Sequence, residues 1–372
     1  MEKVKLQDVA SFSKGQQING DELIENGQYE YLNGGINPSG HWKEFNVNGN
    51  TVTISEGGNS CGYINYMKFP FWCGAHCYYL YNLKIDSKYL YYALKSQQEK
   101  IMKLRSGACM PNIKKSDLGN FELIISTDVN IQNQTVLILE NISELINKRK
   151  EQLSKLDELV KARFVEMFGD PVRNPMQWDT YPLEECLERI DNGKSFICSD
   201  KPRTDNNPAI LKLSAATYGD YRPHENKALL DESLFVESAE VHAGDLLFTR
   251  KNTPELVGMA AYVQNTPSKL MMPDLIFRLV PNEKVNAVFL WQLINCKEFR
   301  PVIQAISGGS AKSMSNISKE RLGKIKVICP PRELQDSLIP FVKQLDKSKL
   351  KVQNSLEKLE LLKKALMQKY FG

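Results

Sequence analysis

The sequence has few of the residues and patterns from which enzymes usually build an active site. Its 372 residues include only four histidines, and we find no glycine-rich cofactor loop and no strong pairing of a nucleophile with a base. Gly193-Lys-Ser195 matches the end of a phosphate-binding P-loop, but that motif requires glycine at position 188, where this chain has Glu188. These absences predict a non-catalytic protein.

Long apolar segments are also missing. No run of 18 apolar residues occurs, and the segment that follows Met1 has no apolar core, so we expect neither a membrane span nor a signal peptide. Without a secretory signal, the eight cysteines are interpreted as reduced, mostly buried thiols of a cytoplasmic protein. The net charge of +4 permits a nucleic-acid partner without arguing for one.

The chain repeats itself. Residues 153–169 and 356–372 are identical at eight of 17 positions with an offset of 203, and residues 112–119 match 316–323 with an offset of 204. Gln132 corresponds to Gln335, and residues 89–94 resemble 288–293. Residues 15–85 and 194–285 align only in fragments, so we expect one duplicated framework that carries two unlike heads.

Helical and extended patterns alternate within each copy. Apolar spacing predicts helices over 89–103 and 288–306, and β-formers predict strands over 50–55, 121–125, 245–249 and 324–328. From about Asn130 to Phe168, and again towards the end of the chain, apolar residues recur every three, four or seven positions. This pattern predicts two paired helices, the first about 58 Å long and ended by Gly169 and Pro171. The predicted seam comprises Ile146, Leu153, Leu156, Val160, Leu345, Val352, Leu356 and Leu359.

Taken as a whole, this organisation resembles the specificity (S) subunits of type I restriction–modification systems. The resemblance is carried by the head–helix–head–helix order, by the strand–Gln–helix passages around Gln132 and Gln335, and by the motifs Phe168-Gly169-Asp-Pro171, Phe371-Gly372 and Gly244-Asp-Leu-Leu-Phe-Thr-Arg250. It covers essentially the whole chain, although no single motif is strongly specific.

The resemblance implies an α+β fold in which two long antiparallel helices form a coiled coil and separate two mixed α/β target recognition domains, with a pseudo-twofold internal repeat. The implied boundaries are 1–128 and 171–331 for these domains and 129–170 and 332–372 for the helices. Each domain would read half of a bipartite double-stranded DNA target. The helices would set the gap and bind methyltransferase subunits, two by symmetry. The resemblance implies no cofactor in this chain, because methyl donor and ATP belong to partner subunits, and the sequence leaves open whether restriction or translocase subunits join.

Candidate DNA contacts come from the residues, since the resemblance does not locate them. Arginine pairs geometrically with guanine and asparagine with adenine, so the candidate base contacts are Asn59, Arg250, Lys251, Asn252 and Thr253. Two glycine-bearing loops, residues 106–112 and 307–316, offer with their neighbours hydroxyls and cations for backbone phosphates. Their candidate residues are Arg105, Ser106, Lys114, Lys115, Ser310, Lys312 and Ser313.

Two other functions are compatible with the sequence. The chain could be a coiled-coil interaction scaffold with two protein- or RNA-binding modules, or an enzyme with a metal at Cys61, Cys73 and Cys77. The cysteine spacing is not a common zinc pattern and the neighbouring residues are apolar, which favours buried thiols over a metal site. A steep salt dependence of duplex binding would separate a DNA reader from a protein scaffold.

Overall fold

Two 40-residue helices are the longest elements of the chain: α5, Val129–Phe168, and α9, Arg332–Phe371. Helix α5 begins after Asp128, whose carboxylate accepts a hydrogen bond of 2.8 Å from the backbone N–H of Asn130, as an N-terminal cap does. It ends at Gly169, which adopts φ +75° and donates its N–H to the Val165 carbonyl at 2.8 Å. Both helix ends therefore agree with the sequence prediction.

The computed structural model describes residues 1–107, 111–308 and 314–372, which form two compact units. Unit 1 consists of Met1–Gln152 and Val352–Gly372, and unit 2 consists of Leu153–Lys351. The division passes through the middle of both long helices, so each unit contains half of α5 and half of α9. The boundaries predicted for the recognition domains stay a prediction.

Unit 1 is a mixed α/β structure. Its strands are β1 (Glu2–Lys5), β2 (Ser11–Lys14), β3 (Tyr29–Leu32), β4 (Gly40–Trp42), β5 (Thr51–Ser55), β6 (Ile64–Met67), β7 (Phe71–Cys73), β8 (Cys77–Tyr81) and β9 (Glu122–Ile125). Its shorter helices are α1 (Leu6–Val9), α2 (Ser87–Ser96), α3 (Gln98–Met102) and α4 (Lys115–Gly119). The sheets have the orders β2-β8-β5-β6, β4-β3-β7 and β1-β9.

Unit 2 repeats this arrangement. Its strands are β10 (Thr180–Pro182), β11 (Leu187–Asn192), β12 (Ala209–Leu211), β13 (Asn226–Ala228), β14 (Leu246–Thr249), β15 (Lys251–Asn252), β16 (Ala260–Tyr262), β17 (Leu270–Met271), β18 (Ile276–Pro281), β19 (Ser315–Asn316) and β20 (Lys326–Ile328). Its shorter helices are α6 (Ala287–Asn295), α7 (Arg300–Ala305) and α8 (Lys319–Gly323). The sheets have the orders β11-β18-β14-β16, β13-β12-β17, β10-β20 and β15-β19.

The two heads therefore share one topology, although their sequences align only in fragments. In each unit the four-stranded sheet is antiparallel, and the three-stranded sheet contains one antiparallel and one parallel pair. The expectation of two heads with unlike sequences on one duplicated framework therefore stands, and the heads themselves also share one fold. A strand requires only alternating burial, which many different residues satisfy, so the topology persists while the sequence diverges.

Each helix predicted over 89–103 and 288–306 is divided into two. The first breaks at Gln97, which leaves helical geometry and donates its side-chain N–H to the Phe371 carbonyl at 2.9 Å. The second breaks after Asn295, because Cys296 is extended and α7 starts anew with a proline in its first turn. Apolar spacing continues through both breaks, which is why the pattern alone did not indicate them.

Both long helices contribute to the core of each unit. In unit 1, Leu139 from α5 and Phe371 from α9 are buried with Tyr89, and the Tyr89 and Phe371 rings lie 5.1 Å apart. In unit 2, Phe164 and Phe168 from α5 are buried against Phe289, with ring centroids 5.6 and 4.9 Å apart. Within each unit the helix halves run antiparallel, as Lys150 pairs with Glu360 at 3.2 Å and Lys349 with Asp157 at 2.5 Å. The fold class predicted from the sequence is confirmed.

None of the helices in the described part of the chain combines the length and the apolar character needed to cross a bilayer.

A buried glutamine joins the start of each long helix to the N-terminal end of a head helix that precedes it in the chain. In unit 1, Gln132 accepts the N–H of Asp86 at 3.0 Å and donates to the Ser126 carbonyl at 2.8 Å. In unit 2, Gln335 accepts the N–H of Asn286 at 3.0 Å and donates to the carbonyls of Lys284 and Pro330, each at 2.8 Å. Asp86 and Asn286 are therefore equivalent, and helix α2 corresponds to helix α6 with an offset of 200. The match made from the sequence, residues 89–94 with 288–293, is shifted by one residue from this correspondence.

We expect Gln335→Met to lower the free energy of unfolding by about 2–4 kcal/mol, because three buried backbone groups lose their hydrogen-bond partner while the side-chain volume is kept. The measurement is urea denaturation followed by tryptophan fluorescence. Gln344→Met, at an exposed position of the same helix, is the matched control and should change stability by less than about 0.5 kcal/mol. Equal stability of the two variants would contradict the structural role of Gln335.

Candidate nucleic-acid interface

In each unit, the residues directly after one strand of the four-stranded sheet, β5 or β14, form backbone hydrogen bonds with the end of the glycine-bearing loop or with the residue that follows it. In unit 1, the Ile113 N–H donates to the Glu56 carbonyl at 2.9 Å, and the Gly58 N–H donates to the Pro111 carbonyl at 3.0 Å. In unit 2, the Ile317 N–H donates to the Arg250 carbonyl at 2.8 Å. In unit 1 these bonds bring the candidate base contact Asn59 near the candidate phosphate contacts Lys114 and Lys115, and in unit 2 the equivalent bond lies at Arg250.

Both glycine-bearing loops are closed at their base by a reciprocal pair of backbone hydrogen bonds. Ser106 and Asn112 exchange two bonds of 2.9 Å, and Gly308 and Asn316 exchange bonds of 2.9 and 2.8 Å. Such closure fixes where each loop leaves and rejoins the fold. The candidate phosphate contacts Ser310, Lys312 and Ser313 lie outside the described residues and stay predictions.

The candidates of unit 1 lie on its surface. Asn59 is exposed in a turn after β5, and the four candidate phosphate contacts of this unit are also exposed: Arg105, Ser106, Lys114 and Lys115. Lys114 directly precedes α4, and the Lys115 amino group lies 5.5 Å from the ring centroid of Phe12. Because these cations are already exposed, binding a phosphate would not require them to leave the core.

A buried carboxylate, which the sequence analysis did not single out, supports the turn that carries Asn59. Glu56 is only 8% exposed, and its carboxylate pairs with the Lys14 amino group at 2.7 Å and lies 3.5 Å from Nδ1 of His76. The Glu56 N–H also donates to the His76 carbonyl at 2.9 Å. Glu56 stands at the position equivalent to Arg250 in unit 2, so the two units present opposite charges at the same place in one framework.

Arg250 is held in position by its neighbours. Its guanidinium lies 4.9 Å from the ring centroid of the buried Phe277, and two of its nitrogens lie 3.4 Å from Oδ1 of Asn316. The Lys319 amino group, which the sequence analysis missed, lies 5.6 Å from the same ring. A cation that stacks on an aromatic ring loses little rotamer entropy on binding, so Arg250 is the best-placed base-contact candidate of unit 2.

The other candidates of unit 2 divide by exposure. Asn252 is buried, and its amide donates to the Thr217 hydroxyl at 3.1 Å and accepts the Thr253 N–H at 2.9 Å. Lys251 is half-buried and Thr253 is exposed. The contacts of Asn252 favour a structural role over a base contact, while Arg250, Lys251 and Thr253 stay candidate base contacts.

The motif Gly244-Asp-Leu-Leu-Phe-Thr-Arg250 has a clear structural basis. Gly244 adopts φ +99°, which glycine tolerates best. Asp245 accepts the His242 N–H at 2.9 Å and pairs with the buried Arg278 guanidinium at 2.9 Å. The following strand β14 is fully buried, so the motif places the half-buried Arg250 directly after a buried strand.

The predicted seam residues lie on the packed faces of the two long helices. In unit 1, Ile146, Val352 and Leu356 are buried and Leu359 is half-buried. In unit 2, Val160 and Leu345 are buried in one core cluster, and Leu153 and Leu156 are half-buried. The alternation of three and four residues between buried positions is typical of coiled-coil packing.

The cysteines that were considered for zinc lie in the core. Cys61, Cys73 and Cys77 are buried, a hydrogen bond between the thiols of Cys73 and Cys77 raises the pKa of Cys73 together with burial, and burial raises the pKa of Cys61. Within the described ranges, no three histidine, cysteine, aspartate or glutamate side chains are grouped so as to hold a metal ion.

This geometry defines a class of protein in which one framework, used twice, presents two different sets of surface residues. Comparison with known proteins identifies the relationship more closely. Residues 1–155 match the family model of the type I restriction modification DNA specificity domain. The chain is 29% identical over 262 residues to the EcoEI specificity subunit of Escherichia coli, a match that covers 63% of this chain and 44% of the relative. It is 33% identical over 204 residues to a putative type I specificity subunit of Mycoplasma pneumoniae, covering 52% of each protein.

Solved structures extend the likeness to the whole fold. The S subunit of a type I system from M. genitalium superimposes with a TM-score of 0.64 at 21% identity, covering 100% of this chain and 96% of that one. A chain from a structure that describes complex assembly of the type I R-M system superimposes with a TM-score of 0.55 at 14% identity, covering 99% and 97%. The resemblance predicted from the sequence is confirmed: the chain is similar to type I specificity subunits, and the matched region spans about half the length of the relatives named above.

We expect Asn252→Ala to lower the free energy of unfolding by about 1–2 kcal/mol, because the Thr253 N–H loses its acceptor and the Thr217 hydroxyl, which still donates to the Leu213 carbonyl, loses its donor. Lys251→Ala, one position earlier, should change stability by less than about 0.5 kcal/mol. Thermal and urea denaturation of the two variants measure the difference. If Asn252→Ala were as stable as the unchanged chain, its amide would be available for a base after all.

Proposed function

We propose that the chain is a non-catalytic DNA-specificity subunit of a type I restriction–modification system, in which each unit reads one half of a bipartite double-stranded target. The observation that carries this proposal is the repeated junction of a turn and a glycine-bearing loop, built on one framework with different side chains. A reader of two unlike half-sequences needs this combination of constant scaffold and variable surface.

The chemistry of each junction suits a duplex. Arg250, stacked on Phe277, offers a fork of donors that matches the acceptors of guanine in the major groove. In unit 1, Asn59 offers an amide, and Arg105, Lys114 and Lys115 offer exposed cations for phosphates. These local groups, rather than the net charge of +4, provide the affinity for DNA.

An interaction scaffold without DNA is the weaker proposal. A scaffold function would explain the paired helices equally well. It would give no role to the cations that lie near an amide group in unit 1 and near a guanidinium group in unit 2. The relatives are named as specificity subunits, which also supports the DNA reader. Catalysis would fall to partner subunits, and access to DNA would require the cytoplasmic location that the sequence predicts.

We expect the double change Lys114→Ala with Lys115→Ala to reduce the slope of log affinity against log salt by about 2, because each phosphate contact contributes about 0.9. The preferred sequence should stay the same, since phosphates carry no base identity. The target is first found by co-expression with a methyltransferase subunit and mapping of the methylated DNA, and affinity is then measured by fluorescence anisotropy at several salt concentrations.

The control is the double change Lys347→Ala with Lys351→Ala, at two exposed positions of α9, and it should leave the slope unchanged. An unchanged slope in the Lys114 and Lys115 variant would remove these residues from the interface. If the unchanged chain bound duplexes without any salt dependence, the scaffold function would replace the DNA reader.

We further propose that methyltransferase subunits dock on an exposed apolar face of the long helices. On the part of α5 in unit 1, Ile131, Ile138 and Leu145 recur every seven residues and are exposed, and Leu361 and Leu362 of α9 are exposed in the same unit. Large apolar side chains that recur on one side of a helix are typical of a surface that a partner covers. A related structure that describes assembly of a type I system supports such a partner.

We expect Ile138→Asp combined with Leu145→Asp to abolish co-purification of the methyltransferase subunit, because a carboxylate would lose its hydration in an apolar interface. Asn147→Asp adds a carboxylate to an exposed position of the same helix outside this stripe, and should leave co-purification intact. Duplex binding by the chain itself reports that both variants are folded. Retention of the partner by the Ile138 and Leu145 variant would place the docking surface elsewhere.

A further inference from the structure

Unit 1 contains a cavity of about 420 Å³ between the end of α2 and the halves of the two long helices that belong to this unit. Its charged lining residues are Lys95, Lys150, Lys363, Lys364 and Glu360. Ile146 and Met367 contribute apolar surface. Four lysines from three different helices therefore line one space of a size typical of small-molecule sites.

The charges in this cavity are not balanced. Glu360 pairs with Lys150 at 3.2 Å, and the nearby Glu140 is occupied by Lys88 at 2.5 Å and by the Tyr92 hydroxyl at 2.7 Å. In the part of the chain that the structure describes, no carboxylate oxygen lies within 4.0 Å of the amino group of Lys95, Lys363 or Lys364. No carboxylate therefore forms a close ion pair with these three lysines, and the attraction of Glu140 for Lys363 acts over a longer distance.

Keeping these lysines charged is unfavourable in the absence of an anion. The Lys95 amino group lies 3.8 Å from the ring centroid of Tyr63 and donates to the Ile64 carbonyl at 3.0 Å and to Oε1 of Gln98 at 3.1 Å. Burial, together with the charge of Lys363, lowers the pKa of Lys95 to about 8, and burial likewise lowers the pKa of Lys363. A bound anion would compensate both costs.

The repeat shows that the framework does not require a lysine at the positions of Lys95 and Lys363, whereas Lys364 has an equivalent in Lys161. With the offset of 200 set by Asp86 and Asn286, Lys95 corresponds to Asn295, which exchanges hydrogen bonds of 2.8 and 3.0 Å with the backbone of Ala260. Near its C-terminal end, helix α2 thus carries a cation in unit 1, and helix α6 carries a neutral amide at the equivalent place in unit 2.

The long helices differ in the same way. With the offset of 203, Lys363 corresponds to Val160 and Met367 corresponds to Phe164. Val160 and Phe164 are buried in the core cluster of unit 2, where Phe164 packs on Phe289. Where unit 2 is filled with apolar side chains, unit 1 has an open space lined by lysines.

We propose that this cavity is a binding site for two or three linked phosphate groups. Lysine binds phosphate as a compact point charge, and three unpaired amino groups match several phosphates better than one. The volume exceeds the requirement of a single phosphate, and Ile146 and Met367 offer apolar contact to whatever the phosphates are attached to. The proposal does not depend on the function proposed above.

The test uses sodium tripolyphosphate as probe, the full-length chain, and isothermal titration calorimetry with thermal denaturation. The variants are Lys95→Asn and Lys363→Val, which introduce the residues that unit 2 carries. Each removes a desolvated cation, so both should fold and melt at or above the temperature of the unchanged chain. We expect tripolyphosphate to bind and stabilise the unchanged chain, and each variant to lose affinity by about tenfold or more. Lys347→Asn, at an exposed position of α9, should behave like the unchanged chain.

A second experiment, the salt dependence of duplex binding, distinguishes the two possible sources of the phosphates. If duplex binding by Lys363→Val has an unchanged salt dependence, the ligand is a free oligophosphate or nucleotide. If its salt slope falls by about 1 alongside the loss of tripolyphosphate binding, the site holds phosphates of the DNA backbone. The proposal is overturned if tripolyphosphate has no effect, or if sodium sulfate at the same ionic strength stabilises the chain and its variants equally.

Discussion

Burial of the far ends of the two long helices is the constraint on which both units depend. Phe168, at the end of the first sequence copy, is completely buried in unit 2, and Phe371, at the end of the second copy, is buried in unit 1 beside Tyr89. The sequence repeats and the compact units therefore do not coincide. Each unit contains the start of the long helix from its own copy and the end of the long helix from the other copy, so neither half of the sequence contains a complete core.

This exchange explains why the best-matched residues of the repeat lie where they do. Phe168 and Phe371, with the glycine that follows each, fill equivalent sites against Phe289 and Tyr89. Gln132 and Gln335 satisfy equivalent backbone groups beside those sites. Positions that complete a core and leave no polar group unpaired tolerate few alternatives, whereas exposed strand and turn positions tolerate many.

Much of the architecture could be predicted from the sequence, because periodicity over 40 residues and a glycine at the helix end are strong local signals. The breaks at Gln97 and after Asn295 could not be predicted, since they depend on contacts with distant residues such as Phe371. The strand order that the two heads share could not be predicted from the sequence either. Strand pairings join segments far apart in sequence, and their side chains need only alternate in burial.

The candidate site was predictable in its location more than in its details. The motif that ends at Arg250 and the loop before Asn316 both carried signals, and the fold joins them. The two-residue strand β15 shows where sequence reasoning stops. Successive strand residues point to opposite sides, so Lys251 and Asn252 cannot both face a ligand, and the sequence does not indicate which one is turned inward. Glu56, with Lys14 and His76, could not be found either, because its partners lie far from it in sequence.

The differences between the two units indicate binding surfaces more strongly than the features that the units share. If the repeat served only stability, equivalent positions would tend towards the same solution, as Gln132 and Gln335 do. Instead, a buried carboxylate at Glu56 stands where Arg250 stacks on an aromatic ring, and a lysine-lined space in unit 1 stands where Phe164 fills unit 2. Buried or crowded charges cost free energy, so a fold that has an apolar or neutral alternative available keeps them where they meet a ligand. The duplication thus provides an internal reference: what both units share holds the fold, and what they do not share at equivalent places marks the surfaces that bind.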